Sequence, residues 1–120
     1  MPESYQIDAG RALVICRAWG VLSNADLREH YRRLAADPEF SPTYAQLADL
    51  RGVTEYTVDS ELIESAARAQ IFDPGTRRAF VAPPGVAFGL ARMFAAHSAS
   101  VGQVLEVFSE LHDAEEWLGV

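Results

Sequence analysis

The sequence predicts an α/β domain: a single-layer mixed sheet of about five strands with four helices packed on it. Three observations carry this. Short apolar runs alternate with longer stretches whose apolar residues recur at helical spacing, the pattern of successive β–α units. The first two apolar runs are too close together for a crossover and read as an antiparallel hairpin. The runs ALVIC, within Arg11–Trp19, and RAFVA, Arg78–Ala82, are apolar without alternation, as strands covered on both faces are.

Taken in order, Ser4–Asp8 is a short first strand, and Asp8-Ala9-Gly10 turns the chain into the second, Arg11–Trp19, which Trp19-Gly20-Val21-Leu22 ends. Ser23 reads as a helix N-cap with Asp26 three residues on, a short-chain capping box. Leu27, Tyr31 and Leu34 form the buried face behind it, and Asp37-Pro38 stops the helix. Gln46–Leu50 is the central strand. Arg51–Val58 reads as a polar loop, and Asp59 or Ser60 caps a helix that turns Leu62, Ile63, Ala66 and Ala67 inward. Asp73-Pro74-Gly75 is a turn before Arg78–Ala82. Pro83-Pro84-Gly85 leads into a helix with Val86, Leu90, Met93, Phe94 and His97 on one face. After Ser98–Gly102, Gln103–Phe108 is the last strand and Glu110–Leu118 the closing helix, with Leu111, Ala114, Trp117 and Leu118 as its stripe. The order β-β-α-β-α-β-α-β-α implies a sheet that is parallel after its first strand. A chain of 120 residues makes one domain, residues 1–120, with one core.

Composition narrows the partners. The formal net charge is −7, and all ten basic residues are arginine. An acidic surface argues against nucleic acid and against anionic membranes. No apolar run approaches the ~20 residues of a membrane-spanning helix, and the N-terminus lacks the basic and apolar regions of a signal peptide. The single cysteine, Cys16, lies in an apolar strand and reads as a buried, inert thiol suited to a reducing cytoplasm.

The runs DLRGVTEYTVDSELIESAA (Asp49–Ala67), RAFVAPPGVAFGLARMF (Arg78–Phe94) and VFSELHDAEEWLG (Val107–Gly119) together resemble the SpoIIAA-like proteins. These are small bacterial domains related to the STAS domains of anti-sigma-factor antagonists. The resemblance covers nearly the whole chain and implies their fold. It also implies work by protein–protein contact. STAS antagonists carry a phosphorylatable serine in an Asp-Ser-Ser-Gly type turn after the strand matching Gln46–Leu50. Counted from Asp49, that position falls on Val58 here, within Thr57-Val58-Asp59-Ser60-Glu61, so Ser60 or Thr57 would inherit the role. Read from position alone, Ser60 is a helix N-cap.

His30, His97 and His112 stand apart, with no HxxxH or CxxC pair, so the pattern calls for no zinc site and no cofactor. His97, on the apolar face of the Val86 helix, reads as a core or helix-end histidine. Pro83-Pro84-Gly85 reads as a strand-to-helix turn, and no GxSxG elbow is present. Phe88 falls off the Val86–Leu90–Phe94 line; it either packs on a neighbouring loop or joins a binding surface. The first function expected is a non-enzymatic regulatory domain in the cytoplasm. It would meet a protein partner, or a second copy as a homodimer, through Thr54, Tyr56, Thr57, Asp59, Ser60, Gly85 and Phe88. The alternative is a pocket between the sheet and the Val86 helix for an apolar, acyl-chain-like molecule. Its motive is the stock of Phe72, Phe80, Phe88, Met93, Phe94 and Trp117. An enzyme using Asp59 or His97 as its acid–base residue ranks last, since no second catalytic group can be placed beside either.

Overall fold

Five strands form one sheet whose spatial order is the chain order, β1-β2-β3-β4-β5. The computed structural model describes residues 2–68 and 71–120. β1 (Glu3–Asp8) pairs antiparallel with β2 (Leu13–Ser23), in register from Glu3 opposite Ala18 to Asp8 opposite Leu13. The turn between them is one 3-10 turn, Ala9–Arg11. Asp8 Oδ1 accepts from the Arg11 N–H at 3.1 Å, and Ala12 closes the turn with φ +51°. β3 (Ala45–Thr57), β4 (Arg77–Val81) and β5 (Val104–Phe108) follow, each parallel to the strand before it. The helices are α1 (Asn24–Ala36), α2 (Ser60–Arg68), α3 (Val86–Ala99) and α4 (Leu111–Leu118). The expected mixed sheet, hairpin and four helices are all present.

The largest departure is the segment expected as a loop, Arg51–Val58. Residues through Thr57 are strand, and β2 likewise continues past Trp19 to Ser23. The two extensions pair with each other, Trp19 opposite Gly52 through Ser23 opposite Thr57, with two register shifts. Burial explains the strand: Val53 packs with Ala18 and Leu22, and Leu50 and Tyr56 close over them. Gly52 permits the approach, because a Cβ there would lie 3.0 Å from Trp19 Cβ. β4 pairs only with Gln46–Asp49, so this two-stranded ribbon runs on beyond its neighbours.

The sheet has two unequal faces. One is buried under α1, α2 and α3, with Val14, Cys16, Ala48, Phe80 and Phe94 in its core. The other carries Leu13, Leu47, Ala79 and Val81 under α4, which presents Leu111, Ala114, Trp117 and Leu118 as expected. α1 has the predicted capping box: Ser23 Oγ accepts from the Asp26 N–H, and Asp26 Oδ2 accepts from the Ser23 N–H. On α3 the expected stripe shifts. Ala87, Ala91, Phe94 and Ser98 are the buried positions, whereas Val86 is 76% exposed and Met93 38%. The alanines let the helix lie close to the sheet, which leaves the bulkier Val86 and Met93 outside.

One cation is fully interior. Arg78, at the start of β4, is buried, and no acidic partner is paired with it among the described residues. Its Nε donates to Gln46 Oε1 at 2.8 Å, Nη1 to Gln103 Oε1 at 3.3 Å and Nη2 to the Tyr31 hydroxyl at 3.3 Å. The guanidinium lies 4.6 Å from the Phe72 ring centre and within 6 Å of those of Phe80 and Phe94. Burial lowers its pKa, but an arginine starts so high that it stays charged. Neutral carbonyl oxygens and ring faces therefore carry the solvation that water would supply.

Removing this cation strands three buried polar groups at once. Arg78→Ala is expected to lose roughly 3–5 kcal/mol of stability. Arg78→Lys should recover only part of that, because an ammonium cannot reproduce the planar fork. Urea unfolding of the two variants against the parent chain measures both.

Candidate functional site

The connections set where a site can lie. α1 packs on β1 and β2, whereas α2 packs on α3 and α3 reaches over to β5. Between α1 on one side and α2 with α3 on the other, the sheet is left partly uncovered. That gap is a cleft with a cavity of about 80 Å³. A single water needs roughly 10–15 Å³ by the same measure, so the cleft has room for several non-hydrogen atoms. Its floor is Cys16, Ala18 and Leu22 of β2, Ala48 and Leu50 of β3, and Phe80 of β4. Leu27 and Tyr31 form the α1 wall, and Ile63, Ala87, Leu90, Ala91 and Phe94 the opposite one.

Of the polar groups that border this apolar lining, three bear on its chemistry. His30 sits on the Leu27–Leu34 face of α1 and is 6% exposed. Its Nδ1 lies 3.3 Å from Glu3 Oε1, and Glu3, itself buried on β1, also pairs with Arg33. The rings of Tyr5 and Tyr31 meet the imidazole edge-on. Burial pushes the His30 pKa down to about 4, so the ring is neutral near pH 7. Tyr56 is the second group. Its hydroxyl is buried without a hydrogen-bond partner, and burial pushes it up to about 12. Cys16 is the third, and it is the buried thiol expected. Sγ accepts from Gln46 Nε2 at 3.4 Å, and burial raises its pKa to about 11, far from a reactive thiolate.

The residues expected at the site divide into two groups. Tyr56 lines the cleft, but from a strand rather than a loop. Thr54, Thr57, Asp59, Ser60 and Gly85 are exposed and leave the lining to others. Phe88 is half-buried and packs against the core. Of the apolar stock, Phe80 and Phe94 line the cleft, Phe72 stacks under Arg78, and Met93 faces outward. Trp117 belongs to the other face, against Phe108. Ser60 is not the N-cap. It is the first residue of α2, and Asp59 caps the helix through Oδ1, which accepts from the Leu62 N–H at 2.8 Å. Asp59 and Asn24 also bond reciprocally, with Asn24 Nδ2 donating to Asp59 Oδ2 and the Asp59 N–H to Asn24 Oδ1. These bonds hold the Asp59 carboxyl below its usual pKa and pin the starts of α1 and α2 together. His97, in the last turn of α3, is half-buried and a helix-end histidine as read. Sequence reasoning missed His30 and Glu3. A polar residue on the face of Leu27, Tyr31 and Leu34 was the available signal.

Two outcomes follow. Asp59→Ala should lower the urea midpoint, while Ser60→Ala should leave it unchanged, because only Asp59 caps α2. The second concerns pH. His30 titrates near 6.5 when unfolded and about 4 when folded. Between those values the unfolded chain binds the extra proton. Stability is therefore full above pH 6.5 and falls by roughly 3 kcal/mol as pH drops toward 4. His30→Phe should flatten that limb in urea titrations at a series of pH values.

No family model matches the chain, and no curated protein does. Among the described residues, no helix is long and apolar enough to cross a membrane, and no cluster of three or more acidic, histidine or cysteine side chains could hold a metal ion. Among solved structures, the chain is similar to an uncharacterized protein of the DUF3478 family from Shewanella loihica, described as having a SpoIIAA-like fold. The match has a TM-score of 0.62 at 14% identity and covers 97% of this chain and 93% of that one. At that identity the likeness speaks to architecture: the chain has a SpoIIAA-like fold.

Proposed function

We propose that the protein binds a small apolar molecule, such as an acyl chain, in the cleft between α1 and the α2–α3 pair, without chemistry. The observation that carries this reading is the lining itself: an open hollow walled almost wholly by aliphatic and aromatic side chains. Water in such a space finds few of the two to four polar partners it needs. An apolar occupant displaces poorly bonded water and gains contacts with Leu22, Leu50, Leu90 and Phe94. The absence of chemistry rests on Cys16, held as a thiol, and on Glu3, committed to Arg33 and His30.

The protein-contact reading that the sequence favoured rests on the resemblance to anti-sigma-factor antagonists and on the exposed residues from Thr54 to Ser60. It gives no account of the cleft.

The test uses the neutral dye N-phenyl-1-naphthylamine. Its fluorescence should rise saturably with the parent chain and be displaced by medium-chain lipids. Ala91→Phe, which fills the cleft at a cost of about 1–3 kcal/mol in strain, should abolish the rise in a chain that still folds. A parent chain that leaves the dye dark, and retains no small molecule in native mass spectrometry, ends this reading.

A further inference from the structure

The polar atoms in the cleft define what an occupant must offer. Glu3 can only accept hydrogen bonds as a carboxylate, so the proton of the neutral His30 ring sits on Nδ1, facing Glu3 Oε1. Nε2 is then a bare acceptor. It makes no hydrogen bond among the described residues. His30 is buried and lines the cleft, which sets its ring against the cavity. Tyr56 Oη is unpaired too, but it is fully enclosed and offers the cavity no polar surface.

No charge in the cleft is free to meet an ion. Arg33 and Glu3 are paired with each other. Arg17 borders the lining, but it alternates onto the opposite face of β2, where its charge lies beside Asp49. Arg78 is spent on Gln46, Gln103 and Tyr31. An ionised head group entering here would lose its water with nothing to replace it. A hydroxyl would donate to Nε2 and lose little.

We propose that the cleft selects an uncharged apolar molecule carrying a hydroxyl donor, read by His30 Nε2, over the carboxylate of the same chain length. This rests on the ligand-binding reading above and names the ligand class.

The test compares 1-octanol, octane and octanoate at pH 7.5, where octanoate is ionised, by the concentration dependence of the thermal midpoint. Octanol should bind roughly tenfold or more tighter than octanoate, and tighter than octane. In His30→Phe, octanol should lose its advantage over octane while octane still binds. If all three bind alike, or octanoate binds best, the selectivity proposal falls and the ligand-binding reading stands. If octanol keeps its advantage in His30→Phe, His30 is not the reader and the proposal also falls. If none of the compounds shifts the midpoint, both fall together.

Discussion

The interior depends on how one positive charge is kept out of water. Arg78 enters the sheet at the start of a strand that continues as alanine, phenylalanine and valine. The protein surrounds it with two glutamine carbonyls, a tyrosine hydroxyl and three aromatic rings, rather than a carboxylate. A buried ion pair sets two desolvation costs against one attraction, and the balance is often poor. Here only one ion is desolvated, and its partners are neutral groups that lose less on burial. Those partners come from β3, from the residue before β5 and from α1. A single guanidinium thereby fixes the spacing of the sheet and the distance of α1 from it.

That arrangement also shapes the cleft. Gln46, Tyr31, Phe80 and Phe94 all contact Arg78 and also border the cleft. Because Gln46 Oε1 and the Tyr31 hydroxyl are engaged by the guanidinium, what these residues leave for the cavity is largely carbon. The topology does the rest. With the strands in chain order, α1, α2 and α3 fall on one face, and no reversal of strand order creates the crevice typical of doubly wound sheets. The opening arises instead because α2 leans on α3 and leaves α1 alone on the hairpin side.

Much of this architecture was legible along the chain, because periodicity and turn residues act over a few positions. The capping box at Ser23, the proline stop after Asp37 and the inward face of Leu62, Ile63 and Ala67 are local facts, and each appears as read. The strand extension was not legible. Arg51-Gly52 looks like a turn, and only the pairing of Gly52 with Trp19 makes it strand. Neither was the inner face of α3, where Ala87 and Ala91 matter for being small, a quality that hydrophobicity underrates. The cleft takes side chains from seven helices and strands, so no single stretch announces it. Of the partner-surface candidates Tyr56 alone reaches it, beside Phe80 and Phe94 of the apolar stock. Glu3, which lines it, and Arg33 and Arg78, which bond to its lining residues, are of a type usually found at the surface.

The coincidence of strand order with chain order has a consequence for how the molecule is made. Each strand pairs with the one synthesised just before it, so the sheet can grow at one edge as the chain emerges, without waiting for a distant segment. The two faces do not mature together. α1, α2 and α3 each arrive between strands and cover their side as it forms. Leu13, Leu47, Ala79 and Val81 on the other side stay bare until α4 has been made. A nascent chain paused before Leu111 would therefore carry a nearly complete sheet with one adhesive side, the species most in need of a chaperone.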